Sequence, residues 1–124
     1  MALLADRPTM SLRDKQSLFA FFVAGLILQA DTLGFDVTLG ETWRSPEEAA
    51  RLAKLHKGSV RSLHCDRLAI DLNLFKGGKW LTSSEAHRPL GAFWKTLHPL
   101  CRWGGDFKPR PDGNHYSMAH GGRQ

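Results

Sequence analysis

The sequence predicts a small α+β domain, with a mainly antiparallel sheet and helices packed on one face. Three observations predict this class. A long segment with helical spacing of apolar residues comes first, a strand of strictly alternating polarity lies near the middle, and a glycine turn joins that strand to the next. Helices mixed with hairpin-connected strands are typical of α+β domains. A chain of 124 residues corresponds to about one domain.

The first element is a helix over residues 11–33, which we expect to be the central packing element. Its apolar residues recur at spacings of three and four: Phe19, Phe22, Val23, Leu26, Ile27, Ala30 and Leu33. Ser11 suits the N-cap and Asp14 suits the first turn. Gly34 follows where a glycine commonly ends a helix.

A strand and a second helix come next. Residues 37–44 alternate in polarity, which predicts a strand. Ser45 then caps a helix in which Pro46 takes the first position and Glu48 completes a capping box. This helix runs to about residue 56, and residues 60–64 are expected to be irregular.

Residues 68–75 form the clearest strand. One face is apolar and should pack on the first helix: Leu68, Ile70, Leu72 and Leu74. The other face carries a lone acid, Asp71, at its centre. The following Lys-Gly-Gly-Lys, residues 76–79, predicts a hairpin turn, and Trp80 begins the return strand.

A third helix is expected around Pro89, ending before Pro99. Thr82 and Glu85 have capping-box spacing. The apolar stripe of this helix comprises Leu90, Phe93, Trp94 and Leu97. Glycine and proline are frequent from residue 100 onward, which predicts loops and short strands. The domain is assigned to residues 11–120, after a flexible segment over 1–10 and before a tail over 121–124.

Charge and composition narrow the class of partner. A formal net charge of +5 and a pI of about 9.6 favour an acidic partner: nucleic acid, an anionic membrane or an anionic cell wall. No nucleic-acid-binding motif is present.

The apolar residues 18–30 are too few to span a bilayer, which needs about 20 residues, and residues 1–10 do not resemble a signal peptide. Cys65 and Cys101 favour a reduced cytoplasmic origin and leave one disulfide open.

A histidine, an acid and a distant histidine are the candidate chemistry. His64 precedes Asp71 by seven residues, and His115 follows far downstream, three residues after Asp112. Two imidazoles and one carboxylate match the three protein ligands of catalytic zinc. Six histidines offer many accidental pairs, so other readings stay open. Asp71 would otherwise be a buried acid paired with an arginine, and Asp112-Gly113 an ordinary turn.

At these positions the sequence resembles a known family. The pattern Ser62-x-His64-x6-Asp71, followed by Asp112-x-x-His115, is similar to the motif of the zinc D-alanyl-D-alanine carboxypeptidases and L-alanyl-D-glutamate endopeptidases, which include phage lysins. Segments 41–45, 68–75 and 103–106 also follow the order of small phage lysins. The resemblance covers roughly residues 11–120. It implies a fold of the hedgehog and D,D-peptidase kind.

The resemblance also implies a role for each motif residue. The Zn²⁺ ligands would be His64, Asp71 and His115. Asp112 would be the general base, and Arg44 would bind or polarise the scissile carbonyl. Ser62 would hydrogen-bond the substrate or a neighbouring loop. Among four tryptophans otherwise assigned to the core or its edge, Trp103 is expected to border the cleft and bind substrate.

Three positions depart from the family pattern. Arg67 stands where many members have glycine, which puts the local loop geometry in doubt. Ser117 follows Tyr116 where many members have glutamate. Asp112 is an aspartate rather than a glutamate, as in the endopeptidase lysins, and this favours an endopeptidase.

We therefore expect a zinc metallopeptidase, an endolysin that cuts an L-alanyl-D-glutamate type bond in the peptidoglycan stem peptide. The alternatives are a D-alanyl-D-alanine carboxypeptidase or a non-catalytic zinc-binding cell-wall module. Expected partners are the peptidoglycan peptide and the anionic cell wall, with no nucleic acid and no membrane span, and the expected state is a monomer. The expected location is the host bacterial cytoplasm, before release to the periplasm or cell wall by a separate pore.

Overall fold

A computed structural model describes residues 9–124, so most of the predicted N-terminal segment lies outside the described residues. The helices are α1 (Leu12–Thr32), α2 (Pro46–Lys54) and α3 (Arg88–Leu97). The strands are β1 (Asp36–Leu39), β2 (Ala69–Lys76), β3 (Lys79–Leu81), β4 (Cys101–Trp103) and β5 (His115–Met118). All strand pairs are antiparallel, which confirms the α+β class.

The sheet is built around β2. Its order is β1-β2-β5-β4, and β3 also pairs with β2 through the predicted hairpin. On one side Asp71 pairs with His115 of β5. On the other side its N–H donates to the Glu41 carbonyl at 2.9 Å, and its carbonyl accepts from the Gly40 N–H at 2.8 Å. Backbone bonding thus fixes three distant segments around Asp71.

The core lies between the apolar face of β2 and the helices α1 and α3. Leu72 and Leu74 of β2 are fully buried, as are Leu18 and Leu26 of α1. The helices meet through Phe19 and Trp94, whose ring centroids are 5.6 Å apart in an edge-to-face arrangement. Each buried side chain of this size stabilises the fold by about 1.5–3 kcal/mol. The polar face of β2, with Asp71, points away from this core.

Three predicted helix boundaries are confirmed by the residues that cap them. Ser11 and Asp14 form a capping box at the start of α1, although only the N-cap had been expected of Ser11. Gly34 follows α1 with a φ of +85°, a conformation that glycine adopts readily. At the start of α2 the Ser45 hydroxyl accepts the Glu48 N–H at 3.0 Å, which confirms the N-cap. The predicted capping box does not close, because the Glu48 carboxylate accepts from Arg51 instead.

Two other predictions about local structure are wrong. The strand expected over residues 37–44 ends at Leu39. Gly40 and Glu41 still bond to Asp71, and the chain then turns away from β2, where the Arg44 N–H donates to the His64 carbonyl at 3.3 Å. The capping box expected at residues 82 and 85 does not form. A 3₁₀ turn over Glu85–His87 precedes α3 there, and the Ser83 hydroxyl accepts the Ala86 N–H.

Two further expectations concern helices and cysteines. Over residues 9–124, no helix combines the length and apolarity needed to cross a membrane. Cys65 and Cys101 are free thiols, so the disulfide left open by the sequence is not formed.

Candidate metal centre

The structure brings His64, Asp71 and His115 together at one point. His64 lies in a 3₁₀ turn (Leu63–Asp66), Asp71 on β2, and His115 at the start of β5. Oδ1 of Asp71 is 3.4 Å from Nε2 of His64 and 3.4 Å from Nδ1 of His115. One ligand atom from each residue lies within 4.8 Å of the others. Three donors at this spacing can share one ion.

Burial and donor chemistry show that these residues fit zinc. His64 is 3% exposed and His115 is 8% exposed. Oδ1 of Asp71 is buried and has no hydrogen-bond partner within the described part of the chain. Buried polar atoms are normally paired, so an oxygen left in this state suggests a missing ligand. Two imidazoles and one carboxylate are a donor set of catalytic zinc sites.

The turn that carries His64 is fixed by its two ends. At its start the Ser62 hydroxyl accepts the His64 N–H at 3.2 Å. At its end Arg67 has a φ of +56°, in the left-handed region that favours glycine. This conformation accounts for the glycine in the family pattern that the sequence resembles. Here Arg67 adopts it, and its guanidinium lies 5.1 Å from the Trp43 ring centroid.

The turn that carries Asp112 and His115 is held from below by close packing. The His115 N–H donates to the Asp112 carbonyl at 3.0 Å, and the Asp112 N–H donates to the Gly104 carbonyl at 2.8 Å. A Cβ at Gly104 would lie 2.0 Å from the Asp112 carbonyl oxygen, so only glycine fits there. Asp112 and His115 are therefore presented from a rigid support.

The expectation that Trp103 binds substrate needs correction. Its side chain is 1% exposed and is absent from the cleft wall. The indole N–H donates instead to the Gly113 carbonyl at 2.7 Å, in the middle of the turn between Asp112 and His115. Trp103 therefore supports the site from beneath, because the packing of the ring leaves no face open to the cleft.

The two acids of the site differ in their pKa values. Burial acts to raise the pKa of Asp71, but the imidazoles of His115 and His64 beside its carboxylate outweigh burial and lower this pKa to about 2. Burial raises the pKa of Asp112, and the charge of Asp71 adds to that rise while His115 opposes it. Asp71 thus stays ionised as a ligand must, whereas Asp112 is the stronger base.

The sequence reading missed Glu41, which belongs to the site. Its Oε1 lies 2.5 Å from Nη2 of Arg44 and 3.6 Å from Nδ1 of His64. The sequence analysis placed Glu41 in the predicted strand and in the family-like segment 41–45 but gave it no role. The available signal was its position three residues before Arg44, the arginine that the family resemblance assigns to the substrate.

The site opens into a cleft of about 850 Å³. Arg44, Ser62 and Asp112 line it together with His64, Asp71 and His115. Its wall carries three further cations, Lys57, Arg61 and Arg110, together with Arg123, whose guanidinium is paired with Asp66 at 2.6 Å. The Ser62 hydroxyl, which was expected to bond to the substrate or a neighbouring loop, accepts the His64 N–H. The wall as a whole favours an anionic ligand.

Comparisons with known proteins agree with this geometry. A family model described as D-alanyl-D-alanine carboxypeptidase matches residues 56–118, a span that contains His64, Asp71, Asp112 and His115. No curated protein sequence matches the chain. Among solved structures, the L-Ala D-Glu endopeptidase ChiX of Serratia marcescens is similar, with a TM-score of 0.66 and 18% identity over 81% of this chain and 79% of that one. At this identity the likeness shows a shared fold.

Proposed function

Because this chain belongs to the D-alanyl-D-alanine carboxypeptidase family, whose model matches residues 56–118 of 124, we propose that it is a zinc peptidase acting on the peptidoglycan stem peptide. One observation carries the proposal. Two imidazoles and a carboxylate from separate segments converge at the floor of an open cleft, with a second carboxylate, that of Asp112, on the same wall.

Each side chain has a task in amide hydrolysis. His64, Asp71 and His115 would hold zinc, which supplies Lewis acidity that lowers the pKa of water and polarises a carbonyl. Asp112, with its raised pKa, accepts a proton from the attacking water and returns it to the leaving amine. Arg44 faces the cleft, where its guanidinium binds the carbonyl oxygen as negative charge develops.

We propose that the bond is of the L-alanyl-D-glutamate type. Asp112 in place of glutamate supports this choice, and so does the fold shared with the L-Ala D-Glu endopeptidase ChiX. Lys57, Arg61 and Arg110 suit a substrate with free carboxylates near the scissile bond. The second candidate is D-alanyl-D-alanine carboxypeptidase activity, which the description of the matching family model favours.

Defined stem peptides separate these activities. Purified protein is incubated with a pentapeptide ending in D-Ala-D-Ala, with and without chelator and added zinc. Because both activities release alanine and leave tetrapeptides of equal mass, products are identified by chiral chromatography and by tandem mass spectrometry of the remaining peptide. Release of L-alanine supports the endopeptidase, and release of D-alanine supports the carboxypeptidase. No cleavage of peptide or cell wall at any zinc concentration would contradict both.

The Asp112→Asn variant separates catalysis from zinc binding alone. It removes the base while keeping the side-chain shape, so we expect zinc content to persist and hydrolysis to fall by about 10²–10⁴-fold. A wild type that holds zinc and binds cell wall without cleaving it would identify a non-catalytic module instead.

The endolysin role is part of this proposal. We expect lysis when a pore-forming protein is co-expressed and none without it.

A further inference from the structure

We infer that Glu41 is a positioning residue that holds both the zinc ligand His64 and the substrate-facing Arg44. The inference rests on the proposed function, because all three residues belong to the same centre. Glu41 Oε1 is 3.6 Å from His64 Nδ1, while the opposite nitrogen, Nε2, is 3.4 Å from Asp71 Oδ1. The imidazole therefore lies between two carboxylates, one at the metal position and one behind it.

This arrangement is the one that tunes a histidine ligand. A carboxylate that accepts the outer N–H of a metal-binding histidine fixes its tautomer and ring orientation and makes it a stronger ligand. His64 Nδ1 is buried and lacks a hydrogen-bond partner within residues 9–124. At 3.6 Å the Glu41 carboxylate is just beyond bonding distance, and a side-chain shift of about 0.5 Å closes the gap.

The backbone of Glu41 is tied to the strand that carries the central ligand. Its carbonyl accepts the Asp71 N–H at 2.9 Å, and the preceding Gly40 N–H donates to the Asp71 carbonyl at 2.8 Å. A Cβ at residue 40 would lie 2.9 Å from that carbonyl oxygen and 3.1 Å from the Asp71 Cβ, so glycine allows the close approach. The backbone of Glu41, although it follows the end of β1, is thus fixed directly to β2.

Arg44 is the second group that Glu41 holds. Its side chain is only 11% exposed, Nη2 lies 2.5 Å from Glu41 Oε1, and its backbone N–H donates to the His64 carbonyl. Without the Glu41 charge, an unneutralised guanidinium would stand close to a divalent cation, and the like charges would repel. Glu41 therefore favours zinc in two ways, by orienting His64 and by offsetting the charge of Arg44.

The chain offers a matched control for this pair. Glu48 and Arg51 form the same i,i+3 carboxylate–guanidinium pair, also at 2.5 Å, on the exposed surface of α2. Zinc affinity is measured by competition with a chromophoric chelator for wild type, Glu41→Gln and Glu48→Gln. We expect Glu41→Gln to weaken zinc binding by about 10–100-fold and Glu48→Gln to leave it unchanged.

A folded Glu41→Gln protein that binds zinc within about twofold of wild type would overturn the inference while leaving the proposed peptidase intact. Failure of the wild type to bind zinc would overturn the proposed function itself. If Glu41→Gln does not fold, ¹⁵N NMR of the zinc-free wild type decides. We expect the His64 proton on Nδ1, facing Glu41, and a proton held on Nε2 instead would contradict the inference.

Discussion

Replacing Gly91 by alanine should destabilise the domain, although alanine is the better helix former. A Cβ at this position in α3 would lie 2.2 Å from Cδ2 of Trp103, with two more ring atoms within 2.6 Å. The ring has no room to retreat, because Gly105 packs closely on it and its N–H donates to the Gly113 carbonyl. The clash therefore displaces either the helix or the indole.

The magnitude follows from two opposing contributions. Alanine gains about 1 kcal/mol over glycine inside a helix. Overpacking a tight core costs about 1–3 kcal/mol, and three ring atoms so close to the new methyl place this site at or above the upper end. We expect a net loss of about 2 kcal/mol in the free energy of unfolding. Gly25→Ala in α1 is the matched control, because a Cβ there meets nothing within 4 Å, and it should stabilise by about 0.5–1 kcal/mol.

Urea unfolding of zinc-free protein measures the stability difference, and chelator competition measures the effect on the site. Trp103 holds Gly113, which lies between Asp112 and His115, so a displaced indole should also weaken zinc binding severalfold in Gly91→Ala. Gly25→Ala should bind zinc as wild type does. If Gly91→Ala proves as stable as Gly25→Ala, the indole is not clamped as the structure implies, and the reasoning about the support beneath the turn is refuted.

Three further predictions concern metal, pH and charge. Zinc at 100 times its dissociation constant should stabilise the wild type by about 2.7 kcal/mol in thermal unfolding and leave His115→Ala unchanged; equal stabilisation of both would disprove the ligand role. Burial lowers the pKa of His87 in the folded state, so the unfolded chain binds more protons below about pH 6.5. The free energy of unfolding should therefore fall as the pH drops from 7 to 5. A His87→Gln variant with the same pH dependence of stability in urea would exclude this cause. KM for the acidic stem peptide should rise in Lys57→Glu and Arg110→Glu, with kcat unchanged. Lys54→Glu, outside the cleft, should leave KM unchanged. An equal rise of KM in all three variants would mean that only net charge matters.

The elements predicted well from sequence are those set by local periodicity. The apolar spacing of α1 and the strict alternation of β2 each lie within one continuous segment, and the two glycines of the hairpin adopt the positive φ values that the turn requires. The position of Asp71 on the polar face followed from the same alternation. The strand predicted over residues 37–44 extends too far beyond β1, because residues 42–44 keep an alternating pattern while the Arg44 N–H bonds to the turn of His64.

The three proposed metal ligands were identified from the sequence, whereas the residues that support them were not. His64 and His115 were paired with Asp71 through a family resemblance, since spacing alone did not select them among six histidines. Glu41 was missed and Trp103 was misplaced because their roles depend on contacts with residues far along the chain. No local pattern predicts that Gly91 and Gly105 enclose an indole, or that the Glu41 carboxylate reaches a histidine 23 positions later.

Short-range periodicity predicted the fold class and the polar face of β2, and one motif supplied the residue types suited to zinc. Only the folded chain shows how closely His64 and His115 approach the Asp71 carboxylate, which carboxylate stands behind His64, and that Trp103 lies beneath the site and not in it. The physical reason is that backbone pairing between β2, β5 and the segment after β1 sets distances between side chains that no interval along the chain encodes.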